Sequence, residues 1–214
     1  MKRKIIDISL LSLCFLVFIV LAILQKSGTL DFINTKFGLN AQVIVNTFLT
    51  NIVVVITNFG EWFFYVPVII ILLIIPRTRL VIGLPEAIMM TISTIINMTL
   101  KEILAVERPT FQRLIEPGGY SFPSGHAMHS MVFVGVLFIV LLNKIIKNNL
   151  KGTLITVGIL FVLIIGWTRI YLGVHTITDI IAGYFIGLGI VLSYDLIRRI
   201  LKEKKELKTE EIVK

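Results

Sequence analysis

Residues 5–24 read IIDISLLSLCFLVFIVLAIL, a run of apolar residues interrupted by a single charge, Asp7. The hydrocarbon core of a bilayer is about 30 Å thick, and a helix of roughly 20 apolar residues crosses it. Three basic residues precede the run, as they would in a signal peptide. No small-residue cleavage site follows Leu24, so we predict an uncleaved membrane anchor.

Five more apolar runs follow along the chain, and together with the first they predict six transmembrane helices. The runs are Trp62–Ile75, Leu80–Leu100, Ala127–Leu142, Leu154–Trp167 and Ile180–Ile197. Ala41–Thr57 has polar residues on one helical side and apolar residues on the other, which predicts an amphipathic helix lying at the interface. The predicted fold is therefore an all-α polytopic membrane protein, with a seventh span over Ala41–Thr57 as the alternative.

The composition supports this class and excludes several others. Hydrophobic residues make up 56% of the 214 residues and the mean hydropathy is +0.93. Charged residues make up 16%, where about 25% is usual in soluble domains. A disordered chain would be polar and charged, and a disulfide scaffold would need more than the single Cys14. We find no internal repeat, and we predict one membrane domain over residues 1–201 followed by a charged cytoplasmic tail over residues 202–214.

The net charge of +8 follows the membrane topology rather than a nucleic-acid surface. Basic residues cluster between the apolar runs, without the interleaved aromatic residues that stack on bases, so no nucleic-acid partner is predicted. With six spans and both termini in the cytoplasm, only six of the 21 Lys and Arg residues lie outside, as the positive-inside rule favours. These six outer residues are Lys26, Lys36, Lys101, Arg108, Arg113 and Arg169. The predicted cytoplasmic clusters are Lys2-Arg3-Lys4, Arg77 with Arg79, Lys144 with Lys147 and Lys151, and Arg198 to Lys214. The seven-span alternative changes this count by one, so the rule alone barely separates the two topologies.

Two polar motifs lie at the two ends of the loop that follows the third apolar run, Leu80–Leu100. Lys101 and Arg108 are seven residues apart, which is two turns on one helix face, and Pro109 disfavours helix at Arg108. Ser124 is suited to cap the fourth helix, so that Gly125 and His126 offer free backbone N–H groups to an anion. Taken singly, these motifs also fit interface anchoring by snorkelling and a capped helix start with a stray histidine.

A third motif lies between the last two runs. Arg169 is followed by His175 and Asp179, which are four residues apart and so share a helix face. A carboxylate in that position can fix the tautomer of the imidazole and leave its other nitrogen nucleophilic. Taken singly, the pair also fits a polar clamp between helices.

Together the motifs place three cations, two histidines, a carboxylate and a helix N-terminus at the same side of the membrane. That set suits a phosphate group, which carries about −1.5 to −2 charges near neutral pH. Lys-x6-Arg-Pro, Pro-Ser-Gly-His and Arg-x5-His-x3-Asp occur here in that order, between Lys101 and Asp179. In this the chain resembles the type 2 phosphatidic acid phosphatase superfamily, with one departure at Thr168, where the family commonly has Ser.

The resemblance implies a role for each motif residue. His175 would be the nucleophile that forms a phosphohistidine, Asp179 would orient it, and His126 would be the general acid and then the base. The residues implied to bind the phosphoryl oxygens are Lys101, Arg108, Ser124, Gly125 and Arg169. No cofactor and no metal are expected, since the family needs none and three histidines with few outer carboxylates make a poor metal cage.

We therefore expect a lipid phosphatase in the cytoplasmic membrane of a prokaryote, with its site on the extracytoplasmic face. Its partners would be membrane lipids and a lipid phosphate substrate. The candidate substrates are undecaprenyl diphosphate, phosphatidylglycerophosphate and phosphatidate, and the sequence leaves the oligomeric state open. The alternatives are an anion or lipid-phosphate transporter and a non-catalytic lipid-binding protein. The charges at helix ends and the absence of repeated halves disfavour the transporter.

Three further ionisable residues lie outside the motifs. Glu61 precedes Trp62 and is expected to be solvated at the interface. Glu86 is expected to be a first-turn acid near the Arg77 and Arg79 cluster, although an acid within a membrane is by default a functional candidate. His129 is expected to be a core residue or a support for the site.

Overall fold

The computed structural model describes residues 2–144 and 148–213, and in those ranges it contains helices and no strand. The helices are α1 (Lys2–Lys26), α2 (Asp31–Gln42), α3 (Thr47–Thr57), α4 (Trp62–Ile74), α5 (Pro76–Thr78), α6 (Leu84–Leu104), α7 (Gly125–Lys144), α8 (Asn148–Tyr171) and α9 (Ile177–Val213). A 3-10 turn, Asn58–Gly60, joins α3 to α4, and a π turn, Arg79–Gly83, joins α5 to α6. Of the predicted basic clusters, Lys147 and Lys214 lie outside the described residues, and so do the side chains of Lys2, Arg3 and Lys144.

Each of the six predicted apolar runs forms a helix, which confirms the all-α fold. Within the described ranges, four helical segments are long and apolar enough to cross a membrane: Lys4–Lys26, Pro76–Leu104, Leu150–Tyr171 and Ile177–Thr209. Trp62–Ile74 and Gly125–Leu141 are apolar but shorter. With α2 and α3 taken together as one bent span, up to five segments meet the required length, and six spans stay a prediction.

The prediction of one amphipathic helix over Ala41–Thr57 is wrong. Gln42 ends α2, and a new helix begins at Thr47 with a bend of 117° between the two. Asn46 causes this break, because its backbone is extended and its side chain accepts a hydrogen bond from the Leu49 N–H at 2.9 Å. That is N-cap geometry, and it starts a helix in a new direction. In length and composition, the bent pair fits a broken span or a re-entrant loop.

The centre of the bundle is the contact between α7 and α9, where two glycines let the helices approach closely. A Cβ at Gly183 would lie 2.7 Å from the Ser124 carbonyl oxygen, and one at Gly187 would lie 2.9 Å from the Met128 carbonyl oxygen. Small residues four apart allow this backbone contact between membrane helices. The contact places the first turn of α9 directly against the start of α7.

Ion pairs fasten the two ends of the chain together. Lys4 Nζ lies 2.6 Å from Glu203 Oε2, and Arg199 Nη1 lies 2.7 Å from Asp7 Oδ2. The start of α1 and the part of α9 around Glu203 therefore lie at one end of the bundle, called here the terminal end. The opposite end, called the loop end, carries the segment 105–124 and the turn between α8 and α9. Helix α9 continues without a break through residues 202–213, so the division at residue 202 stays a prediction.

Glu86 lies in the first turn of α6 beside Pro85, as predicted, but it is not a surface residue. Its side chain is fully buried, and neither carboxylate oxygen has a hydrogen-bond partner among the described residues. The Arg79 side chain instead donates to the Leu73 carbonyl oxygen at 2.9 Å. The expected placement of Glu86 near the arginine cluster is therefore corrected to burial inside the bundle.

Candidate active site

Lys101 lies where α6 ends and the loop begins. Ala105 adopts a left-handed backbone with φ of 48°, and its N–H donates to the Lys101 carbonyl oxygen at 2.9 Å. This closes the helix and releases the chain across the loop end. The Lys101 ammonium group donates to the Tyr120 carbonyl oxygen and, at 3.4 Å, to that of Ser121. It therefore points into the loop rather than out along the interface.

Arg108 ties the loop to the last motif. Its Nη2 and Nε donate to the carbonyl oxygens of Gly118 and Gly119, at 2.7 and 3.0 Å. Its Nη1 donates to the Val174 carbonyl oxygen at 2.7 Å and lies 3.4 Å from His175 Nε2. The guanidinium group is thus held beside the imidazole by three carbonyl groups.

His175 and Asp179 are positioned by the cap of α9. Thr176 and Asp179 form a reciprocal capping box, in which Thr176 N–H donates to Asp179 Oδ2 at 2.8 Å and Asp179 N–H donates to Thr176 Oγ1 at 3.3 Å. The N–H groups of Val174 and His175 face the Arg169 carbonyl oxygen at 3.2 and 3.3 Å. The turn is therefore fixed on both sides of His175.

The His175 ring is oriented for nucleophilic chemistry. Its Nδ1 lies 3.2 Å from Asp179 Oδ2, and both side chains are buried. We assign the ring proton to Nδ1 from this contact, which leaves the Nε2 lone pair facing the Arg108 side. Burial lowers the pKa of His175 below its ordinary value, so the ring is neutral near pH 7. A neutral imidazole with a free Nε2 is the form that can attack phosphorus.

Ser121 is a site residue that the sequence analysis missed. Its hydroxyl donates to Asp179 Oδ2 at 2.5 Å and lies 3.3 Å from His175 Nδ1. It is buried, and it brings the loop into the same hydrogen-bond network as the last motif. Its position three residues before Ser124 indicated that it lies near the site. Nothing in the sequence indicated that its hydroxyl contacts Asp179 and His175.

Ser124 and Gly125 form the start of α7 against α9. Ser124 N–H donates to the Asp179 carbonyl oxygen at 3.0 Å, and its own carbonyl oxygen accepts from Met128 N–H at 3.1 Å. Ser124 thus occupies the predicted cap position. Its buried hydroxyl makes no capping bond and has no partner among the described residues. Gly125 packs on Asn97, since a Cβ there would lie 3.0 Å from Asn97 Oδ1.

His126 contacts an acid that was expected to be solvated. Its Nε2 lies 3.2 Å from Glu61 Oε1, close enough for an ion pair but not aligned for a hydrogen bond. The Glu61 side chain is 35% exposed, and the contact with His126 lowers the pKa of Glu61 despite the opposing effect of burial. The expectation that Glu61 is a solvated interface residue is therefore corrected.

Arg169 lies at the buried end of α8 and is held by α3. Its Nη1 donates to Thr57 Oγ1 at 2.9 Å. The Thr168 hydroxyl donates to the Ile165 carbonyl oxygen at 2.6 Å and lies 3.0 Å from the same Thr57 oxygen. Arg169 Nε has no partner among the described residues. Thr168, at the position where this chain departs from the family motif, thus contacts Thr57, which also accepts the hydrogen bond from Arg169. The sequence could not identify Thr57, because 112 residues separate it from Arg169.

The structure brings all eight predicted residues to the loop end. Lys101, Arg108 and Arg169 supply positive charge around His175, and the N-terminus of α7 adds its free N–H groups. Such a set matches the oxygens of a phosphoryl group. In the described parts of the chain, no three His, Cys, Asp or Glu side chains are grouped so that they could hold a metal ion.

A cleft of about 520 Å³ runs from this site between α4 and α6. Its site end is formed by Gly60, Glu61, Gly125, His126 and His129. Its remaining lining is mainly apolar: Trp62, Tyr65, Val66, Ile69, Ile70, Ala87, Met90, Thr91, Thr94 and Ile95. His129 is thus a half-buried cleft residue, and its Nε2 has no partner within the described ranges.

Comparison with known sequences gives one family. The sequence model of the PAP2 superfamily matches residues 83–202. Phosphatidylglycerophosphatase B of Bacillus subtilis is 30% identical over 179 residues, which cover 81% of this chain and 87% of that protein. The undecaprenyl-diphosphatase of Sulfolobus acidocaldarius is 31% identical over 145 residues, which cover 65% of this chain and 66% of that protein.

Comparison with solved structures gives the same fold. The crystal structure of a transmembrane PAP2 type phosphatidylglycerolphosphate phosphatase from Bacillus subtilis superposes with a TM-score of 0.77 at 26% identity, over 92% of this chain and 96% of that one. Aquifex aeolicus LpxE superposes with a TM-score of 0.59 at 23% identity, over 78% of this chain and 95% of that one, and this likeness concerns the fold alone. With its three motifs assembled at one end of a matching helical bundle, the chain belongs to the PAP2 superfamily.

Proposed function

We propose that the protein is a membrane lipid phosphatase that hydrolyses the terminal phosphate of a lipid phosphate or diphosphate through a phosphohistidine intermediate. The observation that carries this proposal is the buried His175–Asp179 pair, whose unprotonated Nε2 lies 3.4 Å from Arg108 Nη1 within a cluster of cations. Such a cluster stabilises the charge that develops on a transferring phosphoryl group. The named phosphatases and diphosphatases among its relatives support the same reaction class.

In the first step His175 Nε2 attacks phosphorus, and the bond from phosphorus to the leaving oxygen breaks. Lys101, Arg108 and Arg169 hold the phosphoryl oxygens, together with the Ser124 hydroxyl and the Gly125 N–H. Asp179 stabilises the positive charge that forms on the His175 ring. His126 donates a proton to the leaving oxygen.

In the second step water attacks the phosphohistidine. His126, now neutral, takes a proton from that water as the new phosphorus–oxygen bond forms and the bond to His175 breaks. Inorganic phosphate leaves, and both histidines return to their initial states. The side chains named here supply the nucleophile, the acid and the base without a cofactor.

The cleft supports a lipid rather than a soluble substrate. It joins the site to apolar side chains of α4 and α6, where a hydrocarbon chain can lie while its phosphate reaches the cations. We place undecaprenyl diphosphate and phosphatidylglycerophosphate first and phosphatidate next, with overlapping activity because the cations contact only the phosphoryl group.

The reaction can be tested with purified protein in one detergent. We expect phosphate release from all three lipids, with kcat/KM above that for the soluble ester p-nitrophenyl phosphate. Vanadate, which mimics phosphate, should inhibit, and a chelator should leave the rate unchanged. Lipid binding without phosphate release would favour a non-catalytic lipid-binding protein. A soluble ester as the best substrate would contradict the lipid assignment.

A matched pair of cleft variants sharpens this experiment. Thr94 lines the cleft, whereas Thr99 is exposed on the same helix and does not line it. Thr94→Trp should reduce kcat/KM for the lipids by about tenfold or more, because it fills space that a chain would occupy, and should change the rate with p-nitrophenyl phosphate by less than about threefold. Thr99→Trp should change neither rate. Equal losses on lipid and soluble ester would place the chain elsewhere.

We also propose that the loop end faces outward from the cytoplasmic membrane. The support is the excess of Lys and Arg in the segments assigned to the terminal end. Cys14 is the single thiol, so a Cys14→Ser background permits labelling of new cysteines. Glu116→Cys should react with a membrane-impermeant thiol reagent added to intact cells, and Lys204→Cys should react only after lysis. The reverse pattern would place the site in the cytoplasm.

A further inference from the structure

The turn between α3 and α4 reaches the site although it lies outside the region matched by the family model, residues 83–202. Thr57, at the end of α3, accepts the hydrogen bond from Arg169. Gly60 packs against the His126 ring, and Glu61 places a carboxylate oxygen 3.2 Å from His126 Nε2. One short segment therefore contacts both a phosphate-binding arginine and the general acid.

The contact with His126 depends on a glycine. A Cβ at Gly60 would lie 2.7 Å from His126 Cδ2 and 2.8 Å from Ile165 Cγ2. Both distances are shorter than packed carbon atoms tolerate, so any larger residue would push the turn or the ring away. The backbone at Gly60 thereby fixes where the Glu61 carboxylate stands relative to the ring.

The surrounding charge explains why a carboxylate is needed there. The other titratable groups that face His126 are Arg169 of α8, Lys101 of α6 and His129 of its own helix. Burial lowers the pKa of His126 most, and the cations Arg169 and Lys101 lower it further, whereas a general acid must carry a proton when substrate is bound. Glu61 supplies the opposite charge at ion-pair distance, and its contact with His126 keeps the pKa of its carboxyl below the ordinary value.

We propose that Glu61 is a positioning residue for general-acid catalysis, whose carboxylate holds the His126 ring protonated from ion-pair distance of Nε2. The second ring nitrogen, Nδ1, then carries the proton that moves to the leaving oxygen. In the hydrolytic step Nδ1 accepts a proton from water and the starting state is restored, while Glu61 stays ionised throughout. This inference rests on the proposed function and assigns a residue to its proton-transfer step.

The test compares substrates that differ in their need for an acid. The leaving group of phosphatidate is the alkoxide of diacylglycerol, that of phenyl phosphate is phenolate, and that of p-nitrophenyl phosphate is the more stable p-nitrophenolate. The need to protonate the leaving group therefore falls in that order. Glu61→Gln should reduce kcat for phosphatidate by about 10- to 100-fold and for p-nitrophenyl phosphate by less than about threefold. The descending limb of kcat against pH should move to lower pH, because the acid form is lost earlier.

Three further variants separate positioning from a general structural role. Glu61→Asp retains the charge and should restore part of the phosphatidate activity. Gly60→Ala should reproduce the same dependence on leaving group, because it displaces the turn. Glu116→Gln is the control, since Glu116 is exposed in the loop and has no side-chain contact with the site residues described above.

The outcomes distinguish this inference from the proposed function. Wild-type protein that releases no phosphate from any substrate would overturn both. An active wild type with a Glu61→Gln variant that is unchanged, or equally slow with all three substrates, would overturn the role of Glu61 alone. A loss graded by leaving group, with a shifted pH profile and an unchanged melting temperature in detergent, would support it.

Discussion

His175→Ala is expected to abolish phosphate release, with a fall in kcat of about 10⁴-fold or more, because it removes the nucleophile. The ring is buried, but its side-chain contacts are polar ones to Asp179, Ser121 and Arg108 at the loop end. The variant should therefore fold, and its melting temperature in detergent should stay close to that of the wild type. Phosphate release from phosphatidate and from p-nitrophenyl phosphate is the measurement.

The chain contains a matched control for this substitution. His129 is the one of the three histidines to which no catalytic role is assigned, and it is half-buried in the cleft beside His126. His129→Ala should keep the p-nitrophenyl phosphate rate within about fivefold of the wild type, since it removes no reacting group. Wild-type enzyme denatured during turnover should carry acid-labile phosphate on histidine, and His175→Ala should carry none. Appreciable turnover by His175→Ala would contradict a covalent intermediate.

The parts of the molecule that the sequence predicted are those encoded locally. An apolar run about 20 residues long specifies a membrane helix without reference to the rest of the chain, and all six predicted runs are helical. The sequence also predicted the contact between His175 and Asp179, but the predicted cause, a shared helix face, is wrong. Helix α9 begins at Ile177, so His175 precedes it, and the cap formed by Thr176 and Asp179 brings the two side chains together. The motifs also predicted Lys101, Arg108 and Arg169 as phosphate-binding residues, and the structure places all three at the loop end.

The errors arise where one residue or a distant partner decides the structure. The amphipathic pattern over Ala41–Thr57 is continuous, but Asn46 caps a new helix within it and the pattern does not report that break. Glu61 stands beside His126 because α4 packs near α7, a contact between residues 65 positions apart. Thr57 and Ser121 are ordinary polar residues in the sequence, and only the assembled bundle gives them partners.

Asp179→Asn is expected to impair catalysis and folding together, because one oxygen of this side chain serves both. Asp179 Oδ2 accepts from Ser121 Oγ at 2.5 Å, accepts from Thr176 N–H at 2.8 Å, and lies 3.2 Å from His175 Nδ1. An amide oxygen can retain the capping bond only if the amide nitrogen turns elsewhere in a buried site. If that nitrogen faces His175, it donates to Nδ1 and drives the ring proton to Nε2, which removes the nucleophilic lone pair.

We expect kcat to fall by about 10⁴-fold from the wrong tautomer and the lost charge. The free energy of unfolding should fall by about 1–3 kcal/mol from the weakened cap and the disturbed buried hydrogen bonds. Phosphate release and thermal unfolding in detergent, measured on the same preparation, give both quantities. A variant that is fully stable but inactive would show that Asp179 acts on His175 without supporting the helix start.

Asp195→Asn is the control for this substitution, because it removes a carboxylate from the same helix far from the site. Asp195 pairs with Arg198 at 2.7 Å and with Arg199 at 3.0 Å, near the terminal end and partly exposed. Loss of such a pair should cost less than about 1 kcal/mol and leave kcat unchanged. If Asp195→Asn were as harmful as Asp179→Asn, any loss of charge on α9 would disturb the fold and the case for tautomer control would fail. If only Asp179→Asn loses activity, the carboxylate that caps α9 is also the group that holds His175 ready to attack.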